Sequence, residues 1–265
     1  MPEGNALDDD TQLTLLAPGR WRGDVTDRWS VRAPNGGYVA TYLTRALMEA
    51  SPAPDPIALN VHFVAPARPG DAVFEADVAR AGRSHATLTG RMFQGDDLVA
   101  VALATFGRRR PGREIVNTPM PEVPPPDECA SRAPSLVPGM SIGDRFDNRL
   151  PPGGHPEVGG GGRATMTAGG WKRLRDRELD DLAVPLFMDS WPPSVWGASD
   201  SGGYLPTVEM TFHWRSTPSR PWHLVWFTTN DVRDGYFVET GCMWGDDGTL
   251  VAQSRQIARF VEPKD

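Results

Sequence analysis

The sequence predicts an α+β protein in which one unit, a helix wrapped by a curved antiparallel sheet, occurs twice in a single chain. Two observations carry the prediction. Runs that alternate apolar and polar residues fill both halves and are separated by short turns, the mark of hairpins and meanders rather than a parallel sheet. The order strand, helix, four strands is also written on both sides of a proline-rich stretch, "PGREIVNTPMPEVPPPDECASRAPSLVP" (111–138), which reads as a linker. The expected division is a first unit at 11–110, the linker at 111–138 and a second unit at 139–265.

Bulk properties are compatible with this. A chain of 265 residues with 39% hydrophobic and 23% charged residues can bury a large core as a globular protein. The net charge of −7 argues against nucleic acid as the main partner. No apolar run reaches the roughly 18 residues of a membrane span, and the acidic start "MPEGNALDDDTQ" does not read as a secretory signal. Cys129 and Cys242 are far apart and lack metal-ligand spacing, so neither a disulfide framework nor a structural zinc site is expected. A reducing cytoplasm is the default location.

In the first half, short strands ("GRWRGDV", "DRWSV") precede a helix at 36–50, where Val39, Leu43, Ala46 and Ala50 form one apolar stripe. Strands follow at 57–64, 72–82, 84–93 and 98–106. The second half repeats the order with "RATMTAGGWKRL", the helix "LDDLAVPLFMDSW", then "TVEMTFHW", "HLVWFTTNDVR", "GYFVETGCMW" and "LVAQSRQIARF". The glycine-rich "PPGGHPEVGGGG" (151–162) lacks the Gly-Lys-Ser/Thr ending of a phosphate loop and reads as a loop between strands.

The last strands of the two halves differ at one telling position. Ala100, Ala102, Ala104 and Phe106 share a face in the first copy; Ala252, Ser254, Gln256, Ala258 and Phe260 share it in the second. Gln256 thus points inward where the first copy has Ala104. An unpaired buried amide costs about 1–3 kcal/mol, so a partner is required. Leu182, Leu186 and Asp189 fall at helical spacing, which places Asp189 on the stripe facing the sheet, near a helix end set by Pro192 and Pro193, as that partner.

With these residues the arrangement resembles the double-hotdog acyl-CoA thioesterases of the thioesterase II type. "LVAQSRQ" (250–256) is similar to the family's terminal strand, whose glutamine helps hold the hydrolytic water. "FMDSW" (187–191) is similar to the second helix with its catalytic aspartate, and "TVEMTFHWR" (207–215) to the strand that begins with an active-site hydroxyl. The resemblance implies a double hotdog fold, Asp189, Thr207 and Gln256 as the catalytic trio, and hydrolysis of acyl-CoA with no metal or organic cofactor. It covers most of the chain and is weakest in the linker. Two departures stand out: the proline pair follows the aspartate closely, and Thr207 alternates with Glu209 and Thr211 rather than with the inward residues.

Rival chemistries find less support. "GMSIG" (139–143) matches a serine-nucleophile elbow around Ser141, but no core strand precedes it and no helix follows. None of His62, His85, His155, His213 and His223 has an aspartate five positions earlier or lies in a predicted helix, against a hotdog-type hydratase. Cys242 has no basic neighbour to activate it. A non-catalytic acyl-binding protein would need the tunnel but not the trio. Trp191 and Trp196 are candidates to line an acyl pocket, and Arg108 and Arg109 in "GRRRPGR" to meet coenzyme A phosphates. Oxygen-ester hydrolysis remains an alternative, and exposed sheet edges predict a homodimer or tetramer.

Overall fold

A computed structural model describes residues 6–132, 141–154, 166–198 and 205–261. The first half contains α1 (Ala6–Asp10), β1 (Thr14–Ala17), β2 (Arg20–Val25), α2 (Gly36–Ala50), β3 (Asp55–Phe63), β4 (Gly70–Ala81), β5 (His85–Gln94) and β6 (Asp97–Gly107). The second contains β7 (Ala130–Ser131), β8 (Phe146–Leu150), β9 (Thr167–Leu174), α3 (Val184–Met188), β10 (Thr207–Trp214), β11 (His223–Arg233), β12 (Tyr236–Gly245) and β13 (Leu250–Arg259). Most of the "PPGGHPEVGGGG" loop and part of the 111–138 linker lie outside the described residues.

All strands belong to one antiparallel sheet, ordered β1-β2-β4-β5-β6-β3-β10-β13-β12-β11-β9-β8-β7. The halves meet where β3 pairs with β10, with Asn60 opposite Thr211. The Asn60 amide fixes this seam by donating to Thr211 Oγ1 at 2.8 Å and to the Glu209 carboxylate. Either side of the seam the strand order is mirrored. Leu59, Ala104 and Leu88 stand side by side in β3, β6 and β5. Met210, Gln256 and Glu239 stand side by side in β10, β13 and β12.

Helix α2 forms where its sequence demands. Asn35 caps it, its side chain accepting from the Tyr38 N–H at 3.2 Å. Its buried face, including Val39, Leu43, Ala46 and Leu47, packs on β4, β5 and β3, and Leu47 lies against Gly90 of β5, 3.4 Å from where a Cβ would sit. Tyr42 crosses β2 at Gly23, where any Cβ would lie 2.1 Å from the phenol oxygen. The helix stops at Ser51, which turns to extended backbone ahead of Pro52.

The second helix departs from expectation. A stripe through Leu182, Leu186 and Asp189 predicts one continuous helix, yet Asp181–Ala183 is a 3₁₀ turn and α3 spans only Val184–Met188. Pro185 starts the α-helical part and the Pro192–Pro193 pair forbids its extension, so Asp189 is the residue just past the end. The linker, meanwhile, lies against the face of the second-half sheet turned away from α3. There the Trp171 and Trp244 indoles donate to the carbonyls of Pro124 (2.8 Å) and Thr118 (3.1 Å).

Candidate active site

The short α3 carries Asp189 to the N-terminus of α2, across the two halves. Asp189 Oδ2 accepts from the Gly37 N–H at 2.7 Å and the Asn35 amide at 3.0 Å, and the same amide also donates to the Asp189 carbonyl at 2.9 Å. A carboxylate at a helix N-terminus meets unpaired N–H groups and the positive end of the helix dipole. Two glycines make the approach possible. A Cβ on Gly36 would lie 2.9 Å from Asp189 Oδ2, and one on Gly37 would lie 2.6 Å from the Pro185 carbonyl. Thr41 Oγ1 ties the helices further by accepting from the Leu186 N–H at 3.2 Å.

Gln256 finds a different partner from the one its position suggests. Its Nε2 donates to Glu239 Oε1 at 2.7 Å and its Oε1 accepts from the Thr207 hydroxyl at 2.8 Å; no hydrogen bond joins it to Asp189. The expected Asp189–Gln256 pairing is therefore corrected, because Asp189 is drawn away by the donors of α2. Thr207 reaches Gln256 because β10 breaks register between Thr207 and Glu209, so Thr207 pairs with Ala258 while Met210 already faces Gln256. The extra residue of this bulge turns Thr207 onto the inward face, which strict alternation denied it.

Asp189, Thr207, Gln256 and Glu239 line one cavity of about 510 Å³, together with Asn35 and Gly36. That size is ordinary for a small-molecule site. Trp191 and Trp196 both line it, among apolar neighbours that include Val39, Phe63, Met188 and Phe237. Arg108 and Arg109 do not. Arg108 is exposed, and Arg109 is held by Asp181, with its N–H donating to Asp55 at 2.6 Å. Among the described residues, the arginines along the cavity are Arg32, Arg132 and Arg175, and Arg132 stacks on the Trp191 ring at 5.9 Å.

Burial raises the Asp189 carboxyl to about 7, and the charge of Glu239 adds to this. The Gly37 N–H, the Asn35 amide and the ammonium of Lys172 pull the other way. Lys172 is fully buried in β9, donating to the Ser190 carbonyl at 2.9 Å and to its hydroxyl, and sitting 3.7 Å from the centre of the Phe146 ring. It thereby anchors the turn directly after Asp189.

The rival nucleophiles have other duties. Ser141 donates to the Asp27 carbonyl and accepts from the Ser30 N–H at 3.1 Å, ahead of a 3₁₀ turn rather than a helix. Cys242 accepts from the Gln253 amide at 3.8 Å, and burial pushes its thiol up. His223 is buried and depressed to about 4 by loss of solvent, so it is neutral. His155 lies outside the described residues, and among those residues no cluster of His, Cys, Asp and Glu could hold a metal ion. No helix among them is long and apolar enough to cross a membrane.

Asn35, Gly36, Gly37 and Glu239 escaped the sequence reading, although two signals for them were present. "PNGG" places a capping asparagine directly before the helix, and Glu239 alternates with Phe237 and Met243 on the inward face of β12.

Two family models match the chain: the acyl-CoA thioesterase N-terminal domain at residues 25–107 and the acyl-CoA thioesterase C-terminal domain at residues 120–260. The chain belongs to the acyl-CoA thioesterase family. Solved structures agree. A protein from Thermobifida fusca assigned as a thioesterase II shares 28% identity over 96% of each chain, with a TM-score of 0.85. A hot dog fold protein of unknown function from Alicyclobacillus acidocaldarius shares 27% identity over 98% of this chain and 99% of its own, at 0.87. The acyl-CoA thioesterase II TesB2 of Mycobacterium marinum, at 20% identity over 97% of this chain and 99% of its own, matches in fold with a TM-score of 0.76. No curated protein matches the sequence. The thioesterase is thus a double hotdog α+β protein and a hydrolase of thioesters.

Proposed function

We propose that this thioesterase hydrolyses acyl-CoA to a carboxylic acid and free coenzyme A, using a water held by Asp189, Thr207 and Gln256. The observation that carries the reading is the meeting of a desolvated carboxylate with a bonded Thr207–Gln256 pair at one cavity between the two halves. Asp189 takes a proton from the water, whose oxygen adds to the thioester carbonyl carbon. The negative charge gathers on the carbonyl oxygen, facing the N-terminus of α2, where the Gly36 N–H, with no acceptor among the described residues, receives it. Collapse of the tetrahedral intermediate breaks the C–S bond, and the departing thiolate recovers the proton from Asp189.

The apolar lining suits an acyl chain. Arg132 has no carboxylate partner among the described residues and offers charge to the phosphates of the coenzyme, a role the occupied Arg109 is poorly free to play. Thiol release from a panel of acyl-CoAs, short, long and aromatic, tests the reading beside matched oxygen esters. Turnover confined to the thioesters supports it. Equal turnover of oxygen esters, or tight acyl-CoA binding without thiol release, overturns it.

A general base raised to about 7 leaves a clear signature. Only the carboxylate form accepts the proton, so kcat/KM should fall about tenfold per pH unit below about 7 and level off above it. A rate flat from pH 5 to 8 would remove Asp189 as the base.

A further inference from the structure

We propose that Glu239 is a positioning residue of the hydrolytic site, setting through Gln256 the direction in which Thr207 presents its hydroxyl to the water. This rests on the reading of Asp189, Thr207 and Gln256 as the water-holding site. An amide side chain can be placed either way round, oxygen and nitrogen exchanged, and something must choose. Glu239 is 4% exposed, on the inward face of β12 directly beside Gln256. Its Oε2 receives the Ser194 N–H at 2.7 Å and the Ser194 hydroxyl at 2.6 Å. Its Oε1 receives the Gln256 Nε2 at 2.7 Å.

Burial pushes the Glu239 carboxyl up, and the donors that converge on it from both sides, the Ser194 N–H and hydroxyl and the Gln256 amide, pull it back toward the carboxylate form. A carboxylate only accepts, so the amide nitrogen of Gln256 must turn toward it. The amide oxygen then faces Thr207, whose hydroxyl proton is committed to it. Thr207 Oγ1 has only lone pairs left for the cavity, and Gln256 retains its second N–H. A water placed there gives one proton to Thr207 and the other to Asp189, accepts from Gln256, and keeps a lone pair for the carbonyl carbon. The same polarity propagates outward: with its proton spent on Glu239, Ser194 accepts from the Thr229 hydroxyl at 2.9 Å.

The first half supplies the internal contrast. At the places of Glu239 and Gln256 it carries Leu88 and Ala104, so the buried acid and the amide occur together or not at all. A buried carboxylate costs several kcal/mol to desolvate, and Leu88 shows that the sheet packs without one.

The test is steady-state acyl-CoA hydrolysis with Glu239→Gln and Glu239→Leu, run beside Asp189→Asn, with thermal unfolding of each. An amide at 239 can present either face to Gln256. In Glu239→Gln kcat should therefore fall about ten- to a hundredfold, with KM changed less than about twofold and the melting temperature equal or higher. The acid limb of the pH profile should also move down. Of the charged groups facing Asp189, Lys172 on β9 and Glu239 on β12, the like charge alone is lost. Wild-type kcat in either folded variant, with Asp189→Asn inactive, overturns the proposal and leaves the site reading intact. A drop in kcat that merely follows a lowered melting temperature and a raised KM overturns it as well. Full turnover in Asp189→Asn would instead bring down the site reading. Should Glu239→Gln fail to fold, Glu239→Leu decides, since it installs the side chain the first half already accommodates.

Discussion

Asp189→Asn is expected to lower kcat about a thousandfold while leaving the protein folded. The substitution is nearly isosteric, and an asparagine oxygen can still accept from the Gly37 N–H that holds the carboxylate at 2.7 Å. What disappears is the ability to take a proton from water. The change also removes a charge from a desolvated position, so the melting temperature should hold or rise. Circular dichroism and thermal unfolding separate this from misfolding. A variant that retains more than about a tenth of wild-type kcat would show that another group activates the water.

Gly37→Ala should injure both stability and rate. In an exposed helix the exchange gains up to about 1 kcal/mol in propensity. Here the new methyl would lie 2.6 Å from the Pro185 carbonyl and 2.8 Å from Asp189 Cβ, and neither is the end of a flexible side chain. Overpacking of this kind costs about 1–3 kcal/mol, which outweighs the helix gain. The strain is relieved by pushing α3 away from α2, and Asp189 moves with it. A displacement near 1 Å is worth about a hundredfold in rate. Wild-type melting temperature and kcat in this variant would mean that the helices do not depend on the close approach.

Much of the sheet was legible because period-two patterns and turn residues act locally. Helix α2 was equally clear, with its stripe and its stop before Pro52. The second helix was misjudged because spacing alone cannot tell one helix from a 3₁₀ turn followed by a short α-helical stub. The inward position of Gln256 followed from alternation, but its partner did not. Asp189 is claimed by backbone N–H groups of α2, and such donors leave no mark in a sequence. Thr207 violated alternation for a reason that only pairing reveals, the bulge before Glu209. Glu239 obeys alternation on β12, but an acid at one inward position carries no mark of the amide it holds on the neighbouring strand.

The seam between β3 and β10 has a consequence for the chain as a single gene product. If the polypeptide were severed within the proline-rich stretch, each fragment would keep most of its own ladder but bare one long strand at the cut face. Such an edge recruits whatever strand is at hand, and the two fragments would be each other's best remedy for it. Reassociation would restore the Asn35 and Gly37 grip on Asp189 in the same step that covers the edges. Fusion therefore does more than tether the halves: it keeps the Asp189 carboxylate and the helix end that holds it at a fixed one-to-one ratio and at high effective concentration.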